Sequence, residues 1–246
     1  MPEVELKSGA AITGADLSDR DFTDLDLTDA VFVDCTFTDV QFSNTVLEGA
    51  RFKDCRFIRG RFAHADLHEA VFEDCILSQG QKGCQFAFGR MEEARFARSD
   101  LSFARFDRVA LYGAKFETCN LRGSSFTKAD FGKAFGRTVV RWSGAFPGCN
   151  LELADLAELR LPGGDFNRCS FREADLRDAD LEGCDLREGD LFQALTAGLK
   201  LARADLRGAE VSGLDLTKLG SLDSMKVTAD QQYALLNAMG VDVHAN

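Results

Sequence analysis

Residues 15–42 read ADLSDRDFTDLDLTDAVFVDCTFTDVQF, and every fifth residue of this stretch is a large apolar side chain. The apolar centres begin Leu17, Phe22 and Leu27, and the same spacing continues, with interruptions, to Leu216. A period of five fits neither an α-helix, which repeats every 3.6 residues, nor a flat strand, which repeats every two. The backbone must therefore turn after each five-residue unit, and the chain coils.

Five residues a side predict a four-sided coil of twenty residues. Cys35, Cys55 and Cys75 lie twenty residues apart, so like residues would stack one above another. Successive coils would then pair as parallel strands. The stretch from Ile12 to Leu216 gives about ten coils, which at roughly 4.8 Å per strand spacing makes a tower about 48 Å tall.

The position two residues before each apolar centre is usually small. Alanine is common there, and all eight cysteines of the chain occupy it. This placement indicates small buried side chains rather than a redox pair or a set of metal ligands.

Four stretches carry a resemblance to a known family: ADLS at 15–18, ADLH at 65–68, and ADLR at both 174–177 and 204–207. They resemble the A(D/N)LXX signature of pentapeptide-repeat proteins, and the resemblance covers roughly residues 10–217. It implies an all-β fold, a right-handed quadrilateral parallel β-helix. The periodicity by itself predicts the coil but not its hand.

The repeat divides the chain into three parts. We expect an N-terminal cap at residues 1–11, the β-helix at 12–217, and a C-terminal helix and strand at 218–246. The repeat is interrupted near 78–85, 132–145 and 192–200. Near 78–85, one side is either a residue short or rebuilt as a small loop containing Gly80 and Gly83.

The interruption at 132–145 has two interpretations. Either three irregular sides persist there, or the segment from Gly132 to Ala145 bulges outward as a loop. It contains Phe135, Arg137, Arg141 and the only tryptophan, Trp142, and this composition is typical of contact hot spots. The alternative is that Trp142 only covers a distorted coil.

The C-terminal segment has the signals of a cap. Thr228-Ala229-Asp230-Gln231 forms a capping box that predicts the start of a short helix, and Gly240 predicts its end. An open coil end exposes a sheet edge and core, so a cap is required. The tail serves either as a cap alone or as a cap that also forms a two-fold dimer contact. Its apolar residues, in the predicted helix and in an alternating strand after it, are Tyr233, Leu235, Leu236, Met239, Val241 and Val243.

Composition excludes several classes of function. The net charge of -11 argues against direct nucleic-acid binding, which relies on an excess of lysine and arginine. No apolar run is long enough for a membrane span or a signal peptide, so we expect a cytoplasmic protein without a membrane. No nucleophile, metal or nucleotide motif accompanies His64 and His68, which predicts a protein that is not an enzyme and needs no cofactor.

What remains is the surface, which is rich in carboxylates. A rigid rod with ordered carboxylates can present a ladder of negative charge to a positively charged groove. A tower of about 48 Å spans roughly fourteen base pairs of duplex DNA. The longest run of carboxylates comprises Asp16, Asp19, Asp21, Asp24, Asp26, Asp29, Asp34 and Asp39.

In its layout, including the tail, the chain resembles the Qnr and MfpA type of pentapeptide-repeat protein. That resemblance implies tail-to-tail dimers and binding to DNA gyrase or topoisomerase IV, with protection from quinolones or peptide toxins. The expected partner contacts are the aspartate run together with Phe135, Arg137, Arg141 and Trp142. The alternative is an interaction scaffold for a different protein partner.

Overall fold

The computed structural model describes residues 5–244, and the first four residues of the predicted N-terminal cap lie outside this range. Most strands are three residues long, with the central side chain buried and its two neighbours facing outward. The strands are β1 (Ala11–Thr13), β2 (Val31–Val33), β3 (Thr36–Thr38), β4 (Arg51–Lys53), β5 (Arg56–Ile58), β6 (Arg61–Ala63), β7 (Val71–Glu73), β8 (Ser78–Gln79), β9 (Lys82–Gly83), β10 (Gln85–Ala87), β11 (Arg95–Ala97), β12 (Arg105–Asp107), β13 (Ala114–Glu117), β14 (Gly132–Phe135), β15 (Val139–Trp142) and β16 (Gly144–Ala145).

The strands pair in parallel between successive coils, and the coil has four sides, numbered here in chain order. Side 1 holds the sheet β1-β2-β4-β7-β11-β13-β16, side 2 holds β3 and β5, and side 3 holds β6, β10 and β12. Side 4 is joined by single bridges from Asp26 through Val46, Asp66, Arg90 and Ala110 to Asp130. The predicted all-β fold, a four-sided parallel β-helix, is confirmed.

Side 1 shows the full height of the tower. Its successive rungs are Ala11, Val31, Arg51, Val71, Arg95, Lys115, Ala145, Asp165, Asp185, Asp205 and Lys226. These are about ten coil spacings, or about 48 Å at the usual distance between strands.

The apolar centres fill the interior as columns of stacked rings. On side 3, Phe62, Phe86 and Phe106 stack with ring centroids 4.8 and 5.0 Å apart. Neighbouring columns meet edge to face, as Phe86 and Phe96 do at 79°. Offset stacking and edge-to-face contacts are the arrangements that aromatic rings prefer, so a column of equivalent positions one strand spacing apart suits phenylalanine.

The corners of the coil explain a second feature of the repeat. The residue two positions after each centre has a left-handed backbone, for example Asp19, Asp34 and Asn44 with φ of 58°, 53° and 54°. Aspartate, asparagine and glycine adopt this region at the lowest cost. Their frequency at this position therefore follows from the turn that ends each side.

Two of the expected interruptions are antiparallel hairpins between neighbouring sides. Leu77 lies on side 2 and Phe86 on side 3, so the segment between them is longer than a normal side and not a residue short; β8 and β9 form the excess. Phe131 and Phe146 lie on sides 4 and 1, and β14 and β15 project between them as the outward loop.

Residues 192–200 keep the regular coil. Asp175 bridges Leu195 and Asp180 bridges Lys200 in the usual parallel manner. Thr196 occupies the central position and is 9% exposed. At the interruption expected there, a threonine replaces the apolar centre and the backbone keeps its regular path.

The chain ends in short helices: a 3-10 turn at Leu216–Lys218, a second at Ala229–Gln231, and α1 at Gln232–Ala238. The side-chain Oε1 of Gln231 accepts the N–H of Thr228 at 2.6 Å, as the capping box predicts. The predicted strand through Val241 and Val243 is wrong: residues 241–244 form no strand in the described chain. Instead, the N–H of Val241 donates to the carbonyl of Leu236 and terminates the helix.

Candidate interaction surfaces

The histidines and cysteines have structural contacts. His64 stacks on Phe88 with ring centroids 5.3 Å apart, and Nδ1 of His68 lies 2.9 Å from the carbonyl oxygen of Glu92. All eight cysteines are buried and free. Within residues 5–244, no three His, Cys, Asp or Glu side chains are grouped as a metal ion requires.

Three thiols are held in the protonated form by their burial in the apolar core. Burial raises the pKa of Cys84, Cys169 and Cys184 to about 12. Most thiols donate to the backbone carbonyl of a central residue one coil below, such as Cys75 to Phe52 at 3.3 Å. Such cysteines behave as small apolar residues, as the sequence predicts.

The eight aspartates of the first coils encircle the tower end instead of forming one ladder along it. Asp16, Asp21 and Asp26 lie on sides 2, 3 and 4, and each accepts the N–H of the residue two positions later. These hydrogen bonds, together with those from neighbouring hydroxyl groups, lower the pKa of the three carboxyl groups. The other five, Asp19, Asp24, Asp29, Asp34 and Asp39, occupy corners.

A vertical set of carboxylates does exist, on side 4 and its corner. We call it the acidic face, and it comprises Asp26, Asp29, Glu48, Asp66, Glu69, Glu92 and Glu93. Its members follow one another coil by coil: the N–H of Asp29 donates to the Glu48 carbonyl, and that of Glu69 to the Glu92 carbonyl. Arg90 is the one arginine on this set of rungs, and it is paired with Asp66 at 2.8 Å and Glu48 at 3.4 Å.

Sequence reasoning found two members of the acidic face and missed the other five. Asp26 and Asp29 belong to the uninterrupted run, whereas the others are separated along the chain. If the sequence is written in rows of twenty residues, Asp26 and Asp66 fall in the same column, and Glu48 falls two columns further on in the row between them. Glu92 and Glu93 fall outside these columns, because the β8–β9 hairpin lengthens one coil from twenty to 24 residues.

Three aspartates of the later coils are paired with arginines two positions along the chain. Arg177, Arg187 and Arg207 pair with Asp175, Asp185 and Asp205 at 2.5, 2.5 and 2.7 Å. The Arg207 guanidinium lowers the pKa of Asp205 to about 2. These pairs reduce the negative field of the later coils, whereas the first coils have a larger excess of carboxylates.

The β14–β15 hairpin projects an apolar surface. Phe135, Val139 and Val140 are 44%, 47% and 48% exposed. Arg141 lies over the Phe135 ring at 5.4 Å, and Arg137 is exposed in the turn. Sequence reasoning did not include Val139 and Val140, although two adjacent valines in a loop are an available signal.

Trp142 differs from the rest of the hairpin. It is partly buried against the core, and the Arg160 guanidinium lies 4.4 Å from its ring centroid. In this position Trp142 covers the place where the hairpin leaves the coil.

The C-terminal cap closes the last coil and leaves an apolar patch outside. The Gln231 amide donates to the carbonyls of Leu206 and Ala209 at 2.8 and 2.7 Å, and Leu235 is 4% exposed against the core. Leu235 therefore belongs to the inner side of the cap. The patch on the outer side comprises Tyr233, Leu236, Met239 and Val241, which are exposed, while Val243 is half-buried.

None of the helices in residues 5–244 has the length and apolar character needed to cross a membrane.

Comparison with solved structures identifies similar folds. Full-length QnrB1, described as a plasmid-mediated fluoroquinolone resistance protein, is 22% identical; the match covers 94% of this chain and 98% of that one, with a TM-score of 0.71. A trypsin-treated variant of QnrB1 is also 22% identical over 96% and 99% of the two chains, with a TM-score of 0.69. HetL, a pentapeptide repeat protein from the cyanobacterium Nostoc involved in heterocyst differentiation regulation, is 21% identical over 92% and 90%, with a TM-score of 0.48. A search of curated proteins finds no match.

Family models account for most of the coil. The model for a pentapeptide repeat region matches residues 10–81, and the model for pentapeptide repeats in eight copies matches 82–117, 104–135 and 149–187. The unmatched residues 136–148 include most of the β14–β15 hairpin. With its four-sided coil, its five-residue period and these matches, the chain belongs to the pentapeptide-repeat family.

Proposed function

We propose that this protein binds a type II topoisomerase, DNA gyrase or topoisomerase IV, at a surface that otherwise holds DNA. By doing so it protects or regulates the enzyme against quinolones or other poisons. The acidic face carries this proposal. QnrB1, which shares the fold over nearly the whole chain, is itself described as a fluoroquinolone resistance protein.

The acidic face has the geometry that a DNA-binding groove accepts. Its carboxylates lie on successive rungs about 4.8 Å apart, on a backbone held by parallel hydrogen bonds at every coil. Duplex DNA carries one charge per about 1.7 Å of axis, counted over both strands. Seven carboxylates on four successive coils, two of them paired with Arg90, give a lower density of ordered negative charge than DNA has, and this charge complements a positive groove.

The outer patch of the C-terminal cap supports a dimer. Tyr233, Leu236, Met239 and Val241 are apolar, exposed and contiguous along α1 and the residues after it. In a two-fold contact each copy would cover the other's patch, and the two towers would extend away from each other. We propose that the protein acts as this dimer.

The proposal is tested by binding to purified gyrase and topoisomerase IV, measured by interferometry with and without competing duplex DNA. Asp29→Asn, Glu69→Gln and Glu93→Gln together neutralise the corner column of the acidic face. We expect this variant to associate several-fold more slowly and with a weaker salt dependence, because steering by charge acts mainly on the association rate.

The matched control changes the same charge elsewhere. Glu158→Gln, Glu173→Gln and Asp178→Asn remove three carboxylates from other corners that form no ion pair in residues 5–244. The proposal is wrong if neither enzyme binds, if DNA does not compete, or if both triple variants slow association equally. A supercoiling assay with a fluoroquinolone then measures protection.

A second candidate function is a scaffold for a different protein partner. The exposed apolar surface of the β14–β15 hairpin favours it, because such a patch on an otherwise charged rod marks a contact site. In a pull-down, a reproducible partner other than a topoisomerase would support the scaffold. Loss of that partner on removal of the hairpin would locate the contact.

A further inference from the structure

Cationic side chains gather in a cleft on side 3, in the middle of a molecule whose net charge is -11. The cleft has a volume of about 370 Å³, which falls in the range of small-ligand sites. It is lined by Arg59, Arg61, Lys82, Arg105, Gln85 and the Phe103 ring. The three parts that form it are the side 3 ladder, the corner before it and the β8–β9 hairpin.

Arg61 and Arg105 lie on the same ladder, two coils apart, with Gln85 between them. β6, β10 and β12 pair in register as Arg61, Gln85 and Arg105. Two strand spacings separate the arginine backbones by about 10 Å. Both side chains are exposed and point away from the buried phenylalanine that follows each of them.

The hairpin brings the third cation to the cleft and is fixed there by Gly83. A Cβ on Gly83 would lie 2.2 Å from the backbone nitrogen of Ala104, so the hairpin lies directly on the next coil. The Cys84 N–H closes the hairpin by donating to the Leu77 carbonyl at 2.9 Å. Lys82 is therefore held over the ladder on a short, tightly packed loop.

Most arginines of the later coils pair with acids, whereas Arg61 and Arg105 of the cleft do not. No ion pair within residues 5–244 includes Arg61, Lys82 or Arg105. Arg59 is occupied by Asp39, to which it donates at 2.6 and 2.5 Å, and Asp107 pairs with Arg108. Arg61, Lys82 and Arg105 thus face one cleft without a carboxylate in direct contact, and Asp39, which binds Arg59, acts on Arg61 only at longer range.

We propose that this cleft binds a small oligophosphate, either free or as the phosphate chain of a nucleotide. Guanidinium and ammonium groups are the side chains that recognise phosphate, and the glutamine amide adds a neutral donor. Below the cleft on side 3 lies Asp21, and above it lies Asp155. These acids limit the positive surface to about three coils, which fits a small ligand and repels a long nucleic-acid strand.

Isothermal titration with tripolyphosphate tests the site, and ATP in a parallel arm distinguishes a nucleotide from a free phosphate chain. In the Arg61→Gln, Arg105→Gln variant we expect binding to weaken at least about tenfold, because each charge-assisted hydrogen bond is strong. Glutamine already occupies this ladder position at Gln41 and Gln85, so the variant keeps the coil.

The matched control is Arg51→Gln, Lys115→Gln, which makes the same charge change on the side 1 ladder, where neither residue forms an ion pair with any residue of 5–244. It should bind tripolyphosphate as the unmodified protein does. Equal loss in both variants, or no saturable binding at millimolar tripolyphosphate, would overturn the proposal. So would a single-stranded oligonucleotide that displaces tripolyphosphate at lower phosphate concentration, since the site would then extend beyond the cleft.

Discussion

The corner residue of each side carries the sharpest turn of the backbone, and many residue types occupy it. Aspartate, asparagine and glycine suit the left-handed region, but Thr118 has a φ of 53° and Leu153 one of 59°. A β-branched side chain is the least suited of all to this conformation. The coil therefore contains local strain, held in place by the hydrogen bonds above and below.

Replacing Thr118 by asparagine should stabilise the protein. Asparagine adopts the left-handed region more easily, and the Thr118 hydroxyl makes no hydrogen bond that would be lost within the described chain. We expect a gain of about 1 kcal/mol, a fraction of the cost of left-handed backbone, and a rise in melting temperature of about 2–4 °C. Thermal unfolding followed by circular dichroism measures it.

Thr127→Asn is the control, since Thr127 is exposed on side 3 and has no left-handed backbone. An equal rise in melting temperature for both variants would show that backbone strain at Thr118 is not the cause.

The Asp205–Arg207 pair predicts a pH dependence of stability. The pKa of Asp205 is about 2 in the folded protein, below the unfolded value of about 3.9. The stabilisation that the pair contributes is therefore present above about pH 4 and is lost as the pH falls towards 2. Asp205→Asn should therefore lower stability by up to about 1 kcal/mol at pH 7. Urea unfolding at several pH values should show this difference vanish near pH 2.

Asp178→Asn controls for the removal of a carboxylate without an arginine partner, and it should leave stability at pH 7 unchanged. A difference between Asp205→Asn and the unmodified protein that persists at pH 2 would rule out the ion pair as its origin.

At the scale of the elements, the spacing of apolar centres predicted the positions of two interruptions, near 78–85 and 132–145, but not their form, and it predicted a third at 192–200 where the coil is regular. The slipped frame between Leu77 and Phe86 fits a side that is one residue short as well as an added loop, and only the structure shows which sides flank the segment. The segment 132–145 left two interpretations open because Val139 and Val140 suit a coil side as well as a hairpin strand. The antiparallel pairing of β14 with β15 decided between them, and pairing depends on contacts that no local pattern contains.

Deleting residues 133–142 should leave a stable coil. The deletion joins Gly132 to Ser143 and places Phe131 and Phe146 five positions apart, which is the normal length of a side. The hairpin contributes no side chain to the core except the partly buried Trp142, so we expect the melting temperature to change by only a few degrees. Circular dichroism and thermal unfolding test this directly.

A deletion from the regular coil that breaks the five-residue frame, 172–178, leaves Phe171 and Leu181 three positions apart and should destroy the stacking above it. If the two deletions destabilise the protein equally, the hairpin is part of the folding unit and not an insertion in it.

At the scale of the whole molecule, the repeat predicted the architecture, the height and the cap, because one period acts at every level of the tower. It predicted the charge distribution poorly. The run from Asp16 to Asp39 is continuous in the chain but encircles the tower, whereas Glu48, Glu69 and Glu93 are distant in the chain and lie on one face. In a coil, neighbours across the surface are a whole turn apart in sequence, and the hairpins change the length of that turn.

The C-terminal end of the tower carries the patch through which we propose that the dimer forms. Leu235 is buried against the last coil, while Leu236 beside it is 38% exposed in the outer patch. Leu236→Glu should therefore separate the proposed dimer without disturbing the cap, since a charge in the centre of an apolar two-fold contact would meet its own copy. Sedimentation velocity should give a dimer for the unmodified protein and a monomer for the variant.

Leu153→Glu, at a corner leucine that is 41% exposed, is the control and should remain dimeric. A monomeric unmodified protein, or dissociation by both substitutions, would refute a contact through the C-terminal patch, and the rod would then present its acidic face as a single tower.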